Sequence, residues 1–341
     1  MACGMATQFW QLLLARMAVA VGEAGGMAPS ISLVSDLYPK RHRSLAISLF
    51  MMGPHFGVLI GLALGGWIAQ HHGWRATFLW FGAPGIVLGV LVWLLVPEPV
   101  RGGFDDAPAV TPQQEPLGVQ LRRLLAEPAF RWLCLGCGIA GVSGYGYGTW
   151  MPSFLVRSHG LSIAHAGLVF GVASGLGAVA GSLFSGWSCD RLVARDARWQ
   201  VGLPMLGVLL AVPCALALLL WPGGGAWTIV GVAVPHAMSF ALLFGFFASW
   251  WPSLSYSAVS QMVPAQERAV AASVLNLFIT LFGVGVGPLV TGMLSDLLTP
   301  VYGAQALRLA LVAVICLMVL TALLFAAAVA PYRQRLRTQA A

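Results

Sequence analysis

Long apolar runs separated by short polar loops dominate this chain, and the runs are long enough to cross a bilayer. A membrane-spanning helix needs about 20 predominantly apolar residues. Nine stretches meet that length: residues 10–35, 44–69, 76–96, 130–155, 162–188, 200–221, 227–259, 268–295 and 304–330. The seventh is over-long and carries Pro235 and Pro252, which predicts a kinked helix. One long polar stretch interrupts the series, from Glu98 to Glu127, with Pro99, Pro108, Pro112 and Pro116 among mixed charges. It reads as a linker dividing three spans from six. The predicted organisation is a three-span segment at 1–97, a linker at 98–129, and a six-span segment with a short tail at 130–341.

Composition removes the competing classes. Of 341 residues, 59% are hydrophobic and 9% charged, against roughly 45–50% and about 25% in an ordinary globular chain. So few charges cannot cover a soluble surface, and disorder requires the opposite balance. The 41 glycines and 20 prolines follow no triplet period, and the six cysteines sit mostly within apolar stretches, so collagen-like and disulfide-framed classes also fail. The predicted fold class is all-α: a polytopic membrane protein built as a helical bundle.

The net charge of +7 becomes informative through its distribution. The bases cluster in short loops, and no nucleic-acid-reading motif accompanies them. Fourteen of the 18 lie in the loops at 40–43, 101–131, 191–198, at Arg268 and in the tail at 333–337; three (Arg75, Arg157, Arg308) lie on the other side, and Arg16 falls within the first span. Basic loops face the cytoplasm. The expected orientation therefore places the linker, the Asp190 loop and the C-terminus inside, in a bacterial cytoplasmic membrane. Nine spans then leave the N-terminus outside, and the opening MACGMATQFWQLLLAR has neither the charged n-region nor the cleavage pattern of a signal peptide.

An internal repeat sharpens the organisation. Pro39-x3-Arg43-x2-Ala46-x-Ser48 recurs 225 residues later as Pro264-x3-Arg268-x2-Ala271-x-Ser273. Phe56-Gly57-Val58-x2-Gly61-x4-Gly66 recurs as Phe282-Gly283-Val284-x2-Gly287-x4-Gly292. These matches pair spans one to three with spans seven to nine in parallel, and spans four to six have no counterpart upstream. A molecule of two six-span halves would carry three further spans before residue 1, so the chain is expected to be a fragment or to have a mis-called start, lacking about 80–100 residues.

Gly186-x3-Asp190-Arg191-x3-Arg195, in a short basic loop, resembles the signature loop of the major facilitator superfamily, whose members are built from two parallel six-helix halves. The first span, with Arg16, Gly22, Glu23, Ala24, Pro29 and Asp36, resembles the fourth helix of the spinster-like branch. Gly285-x-Gly287-Pro288-x3-Gly292-x2-Ser295-Asp296 resembles its eleventh helix. The superfamily resemblance covers the whole chain; the branch rests on the first 100 residues and on 264–296. It implies a secondary transporter of a small organic anion or amphiphile, coupled to protons and working by alternating access. In that reading Arg16 and Glu23 are the coupling pair, and the Asp190 loop is a cytoplasmic latch between helices.

The residues support the same chemistry on their own terms. Arg16 and Glu23 are seven apart, so on a helix they share a face to within about 20° and lie roughly 10 Å apart. A charge at mid-membrane costs about 2.5–3.5 kcal/mol, so such residues face a cavity or each other. An acid that sheds its water gains affinity for a proton, which a proton carrier needs. The structural alternatives are a plain bond for Glu23 and a snorkelling side chain for Arg16. Asp190 can accept from backbone N–H groups at a neighbouring helix start, Gly186 permits close packing, and Arg191 and Arg195 can hold carboxylates; a plain basic loop is the alternative.

Tyr145, Tyr147 and Trp150 lie among Gly144, Gly146 and Gly148, as cavity-lining or interfacial aromatics. His55 and Asn276 are single mid-span polar groups, placed either at a cavity or in helix-to-helix hydrogen bonds. Ala18, Gly22 and Gly26, then Gly57, Gly61 and Gly65, then Gly177 and Gly181 form small-residue ridges for helix packing. Cys134-x2-Cys137 lies in an apolar span without a second pair, so no metal and no cofactor are expected. No phosphate loop, Gly-x-Ser-x-Gly element or zinc-binding pair appears. The expected partners are a small-molecule substrate, protons and the lipid bilayer, not nucleic acid. Two further readings remain: a membrane remnant that binds but does not transport, and a membrane enzyme, for which no catalytic cluster is present.

Overall fold

A computed structural model describes residues 1–96, 116–222, 224–229 and 231–340. Arg101 and the linker between 98 and 115 lie outside the described residues. The chain opens with α1 (Ala2–Met5) and the long helix α2 (Phe9–Leu37), then runs through α3 (Arg43–Leu95). Helix α3 holds both the second and third predicted spans, divided at Gly73, whose φ of 79° is a left-handed conformation that glycine adopts without steric cost. Arg75, just beyond this break, donates to the Ala6 carbonyl at 3.1 Å and ties α1 to the turn.

Within the predicted linker the chain forms α4 (Leu117–Ala126), which meets α5 (Pro128–His159) at 86°. Pro128 starts α5, where its missing N–H costs nothing. Arg123 of α4 pairs with Glu267, and Glu127 lies 3.8 Å from Arg335, so α4 is held against two later elements. Helices α6 (Ile163–Val193) and α7 (Trp199–Leu220) follow. Ser162 caps α6 by accepting from the His165 N–H at 3.2 Å.

The seventh predicted span is corrected. Its first third is not helix but a hairpin of β1 (Ala226–Ile229) and β2 (Val232–Pro235), pairing Trp227 with Val234. Gly224, Gly225 and Gly231 hold φ between 76° and 93°, which forces the chain out of a helical path before and within the hairpin. Helix begins at α8 (Met238–Ala248) and resumes as α9 (Trp250–Met262) after a break at Ser249. Pro252 explains the break, because its ring crowds the carbonyl four residues back, at Ala248. Pro235 closes β2 rather than kinking a helix.

The remaining run is α10 (Arg268–Phe278), a π-helical stretch (Ile279–Val286), α11 (Gly287–Tyr302) and α12 (Ala306–Ala340). The widened stretch packs against α5 along a seam of glycines. A Cβ at Gly141 would lie 3.0 Å from the Gly283 Cα, and one at Gly287 3.0 Å from the Gly146 nitrogen. Side chains from α5, α9, α10 and α12 fill one core around Phe130, Leu133, Leu275 and Phe325; α5 to α8 together with α12 fill another around Tyr147, Phe154, Leu218 and Leu311.

Apolar residues also cover the outside: Trp93 is 81% exposed, Val301 77% and Val21 76%. Water would oppose that surface, whereas lipid tails match it. By length and hydropathy five helical stretches among the described residues qualify as spans, six when the bent α4–α5 pair counts as one, with Ala265–Thr338 forming a single 74-residue stretch. The chain is an integral membrane helical bundle.

The predicted small-residue ridges divide in two. Gly177 and Gly181 pack against the backbone of α8, where a Cβ on Gly181 would overlap the Phe246 carbonyl oxygen. At Gly22, Gly26, Gly57 and Gly61 a Cβ would meet nothing within 4 Å. Gly181→Val should therefore lower stability by about 1–3 kcal/mol or more, since backbone cannot yield to an added side chain. Thermal unfolding of the detergent-solubilised protein checks this against Gly22→Val. Equal melting temperatures for the two variants would contradict the packing described.

Candidate functional site

The most elaborate polar constellation joins the N-terminal helices α2 and α3 to the C-terminal helices at one end of the bundle. Asp190, near the end of α6, accepts from two backbone N–H groups in the first turn of α3: Ser44 to Oδ1 at 3.1 Å and Leu45 to Oδ2 at 3.0 Å. These donors have no partner within their own helix, and the positive end of the helix dipole favours a carboxylate there. Gly186 makes the approach possible, since a Cβ would fall 2.9 Å from the Leu45 Cα.

Beside it, Asp36 at the end of α2 accepts from Arg268 Nη1 at 2.7 Å, with the side chains only 4% and 2% exposed. Arg268 Nε also donates to the Ser260 carbonyl at 3.1 Å. Its repeat-mate Arg43 does the same in the other segment, donating from Nη2 to the Ser35 carbonyl at 2.8 Å. Each arginine thus reaches back eight residues to clasp the end of the preceding helix. The sequence repeat is a repeat of this clasp. Ser44, Gln200, Ser257 and Gln261 form a further buried polar group alongside.

The other bases of the signature loop differ from expectation. Among the described residues neither Arg191 nor Arg195 holds a carboxylate. Arg191 lies over the Trp187 ring at 3.8 Å, Arg195 is exposed, and Asp196 instead lies 3.8 Å from Arg198. A guanidinium one helical turn from an indole gains a cation–π contact without desolvating a carboxylate.

Away from this end, α2 is bare. Residues such as Leu14, Met17 and Val21 are more than half exposed, whereas Ala28 and Ile31 are buried against the C-terminal helices. Arg16 and Glu23 both lie on the exposed stretch, and among the described residues neither forms an ion pair. The structure does not join them to each other.

The remaining candidates separate. Tyr145 is 45% exposed and stands beside Gly283. Tyr147, expected at a cavity or in an interfacial belt, is packed at 0% exposure between Phe170 and Phe244. Residues two apart on a helix point about 200° away from each other, so both tyrosines cannot face one cavity. Trp150 donates from Nε1 to the Pro288 carbonyl at 2.9 Å and fixes α5 to α11. Asn276 accepts from the Tyr256 hydroxyl at 3.0 Å, and His55 is half-buried on α3. Cys134 and Cys137 are free and buried. Sequence reasoning missed Ser44, Gln200, Ser257, Gln261 and the Asp36–Arg268 partnership. The repeat offset aligns Asp36 with Gln261, each seven residues before its arginine, but does not itself pair Asp36 with Arg268.

The sequence profile of the Major Facilitator Superfamily matches residues 1–281. An "MFS-type efflux pump" of Mycolicibacterium smegmatis is 33% identical over 326 residues, which span 95% of this chain and 72% of that one. The D-galactonate transporter of Escherichia coli O6:H1 is 25% identical, over 86% of this chain and 70% of its own length. Among solved structures, a bacterial homologue of the human lysosomal transporter Spinster, inward-facing and unoccupied, superposes with a TM-score of 0.66. It is 26% identical, over 98% of this chain and 80% of that one. With the helical bundle, these matches show that the chain belongs to the Major Facilitator Superfamily.

Proposed function

We propose that the chain serves a proton-coupled secondary transporter of a small organic anion, working by alternating access, with Arg16 and Glu23 as the coupling pair. The observation that carries this reading is the contrast along α2. Its end is locked to the C-terminal helices through Asp36, while the stretch bearing Arg16 and Glu23 is exposed and, among the described residues, forms no ion pair. A carboxylate and a guanidinium on one helical face can take a proton and an anionic group respectively. Tyr145 and the Tyr256–Asn276 pair supply hydroxyl and amide groups on the C-terminal side.

In this reading the chain contributes three spans at 1–97 and six at 130–341, nine in all, with the linker and C-terminus in the cytoplasm. The Asp190 end, with Gly186 and the bases Arg191 and Arg195, is then the cytoplasmic latch, and the structure is a state closed inside. The 14-to-3 split of bases supports that orientation. Several relatives are named for hydroxylated acids: D-galactonate, galactarate/D-glucarate, gallate and gentisate. These names support the anion class that the resemblance implies.

The test is uptake of labelled D-galactonate and gallate into proteoliposomes. Accumulation that follows an imposed proton gradient is expected, and uptake indifferent to that gradient removes proton coupling. The 33% identical efflux pump favours a second reading, export of an apolar amphiphile. Proton-driven movement of a lipophilic dye with no uptake of either acid would select it.

A further inference from the structure

The repeat that aligns Arg43 with Arg268 also aligns Ser35 with Ser260 and Asp36 with Gln261. Both arginines make the same backbone clasp, yet the residues beside them diverge. Asp36 crosses to Arg268 as a charged partner. Gln261 instead turns toward neutral groups, donating from Nε2 to Gln200 Oε1 and to Ser257 Oγ, both at 3.1 Å.

Gln200 is the hub of that neutral group. Its Oε1 accepts from Gln261 and, at 3.3 Å, from the Ser44 hydroxyl; its Nε2 donates to the Leu254 carbonyl at 3.2 Å. The Ser44 and Ser257 hydroxyls lie 2.9 Å apart. Gln200, Ser44 and Ser257 are 0–1% exposed. Three helices therefore meet through amides and hydroxyls: α7 through Gln200, α9 through Ser257 and Gln261, α3 through Ser44. Ser44 is the only member from the N-terminal segment, and its N–H is already held by Asp190.

We infer that Gln200 is a positioning residue for transport: it presents its amide oxygen to Ser44 and so sets how readily the Asp190 end opens. Gln200 acts through Ser44, not on substrate. The consequence lies in what is stranded on opening. When Ser44 leaves, Gln200 keeps Gln261 and Leu254, and Gln261 keeps Ser257, so the amide group on the C-terminal side stays satisfied. The Ser44 hydroxyl, and the Asp190 carboxylate with the Ser44 and Leu45 N–H groups it held, have to find water. Parting Asp36 from Arg268, by contrast, exposes two charges that lose each other. A neutral hydrogen bond is worth far less net than a buried charge pair costs to break on one side. The substitution of an amide for an acid at position 261 thus gives the closed end, beside the Asp190 cap, one strong and one easily reversed fastening. Alternating access requires such a bistable element.

The inference rests on the alternating-access reading above, and the experiment separates the two. Spin labels at Tyr38→Cys and Ala194→Cys, both exposed at this end on opposite segments, report its opening by pulsed dipolar spectroscopy in a background lacking reactive native cysteines. Ser44→Ala keeps the N–H that Asp190 needs and removes only the hydroxyl. Ser44→Ala and Gln200→Leu should each raise the open-to-closed ratio several-fold. The double variant should fall short of the sum of the single ones, because both remove the Ser44–Gln200 contact. Ser44→Ala suffices where Gln200→Leu does not fold. Unchanged distance distributions in Ser44→Ala, or fully additive effects in the pair, overturn the lock. If the parent protein never opens with pH or added galactonate while Ser44→Ala does, the lock stands and alternating access falls. A single short distance throughout overturns both.

Discussion

Asp36→Asn should open the Asp190 end, and its effect should be the largest of any single substitution at that end. The side chain of Arg268 is 2% exposed and its charge is answered by Asp36. Removing one member of a buried pair typically costs 3–5 kcal/mol, because the survivor stays charged and buried. The protein can escape much of that cost by separating the two segments and hydrating Arg268. The closed-to-open equilibrium should therefore move by about two to three powers of ten. Asparagine keeps the shape and one acceptor, so the shift reports charge rather than packing. The measurement is labelling of a cysteine placed at Val34, which packs against the core in the closed form. It should become reactive, and only to reagent applied from the cytoplasmic face. The double variant Asp36→Leu with Arg268→Leu should close again, since two apolar groups leave no stranded charge. Persistent protection of Val34→Cys in Asp36→Asn would show that the pair is not what holds this end. Labelling from outside would reverse the proposed orientation.

Much of the architecture was legible because membrane burial writes itself into sequence as run length. The helices α5, α6, α7 and α12 lie where apolar stretches predicted them, and the Gly73 break falls between two predicted spans. Run length failed at 226–235, where an apolar hairpin and an apolar helix have the same composition. There the distinguishing signals were three consecutive glycines at 223–225 and Gly231, which are turn chemistry rather than hydropathy. The polar helix α4 was invisible to the same measure.

At the site, Asp190 was readable as a helix-capping acid because a carboxylate in a short loop has few other uses near lipid. Which N–H groups it would meet was not, because that depends on how α3 crosses α6. Arg191 shows the reverse case. Its partner Trp187 is four residues back on the same helix, a local spacing available without any tertiary knowledge. The buried amides and hydroxyls were missed for a different reason. Serine and glutamine at span ends look like ordinary interfacial residues until their distances are known.

Glu23→Gln should abolish proton-driven accumulation while leaving exchange of substrate across the bilayer within a few-fold of the parent. Glutamine matches glutamate in size and keeps a carbonyl acceptor, but it cannot take up and release a proton. If one proton moves with each substrate, a gradient of two pH units supplies about 2.7 kcal/mol, enough for roughly 100-fold accumulation. The variant should equilibrate its substrate instead, so the whole of that factor is lost. Exchange survives because it needs binding and reorientation but no net proton movement. The exposed setting of Glu23 matters here. Among the described residues no ion pair is broken by the substitution, so a folding defect is not expected, and melting temperature should hold. Arg16→Gln should behave differently, losing exchange as well, since a neutral amide cannot answer a carboxylate's charge. Full pH-driven accumulation by Glu23→Gln would reduce that residue to a bystander on α2 and move the search for the proton site to the opposite wall.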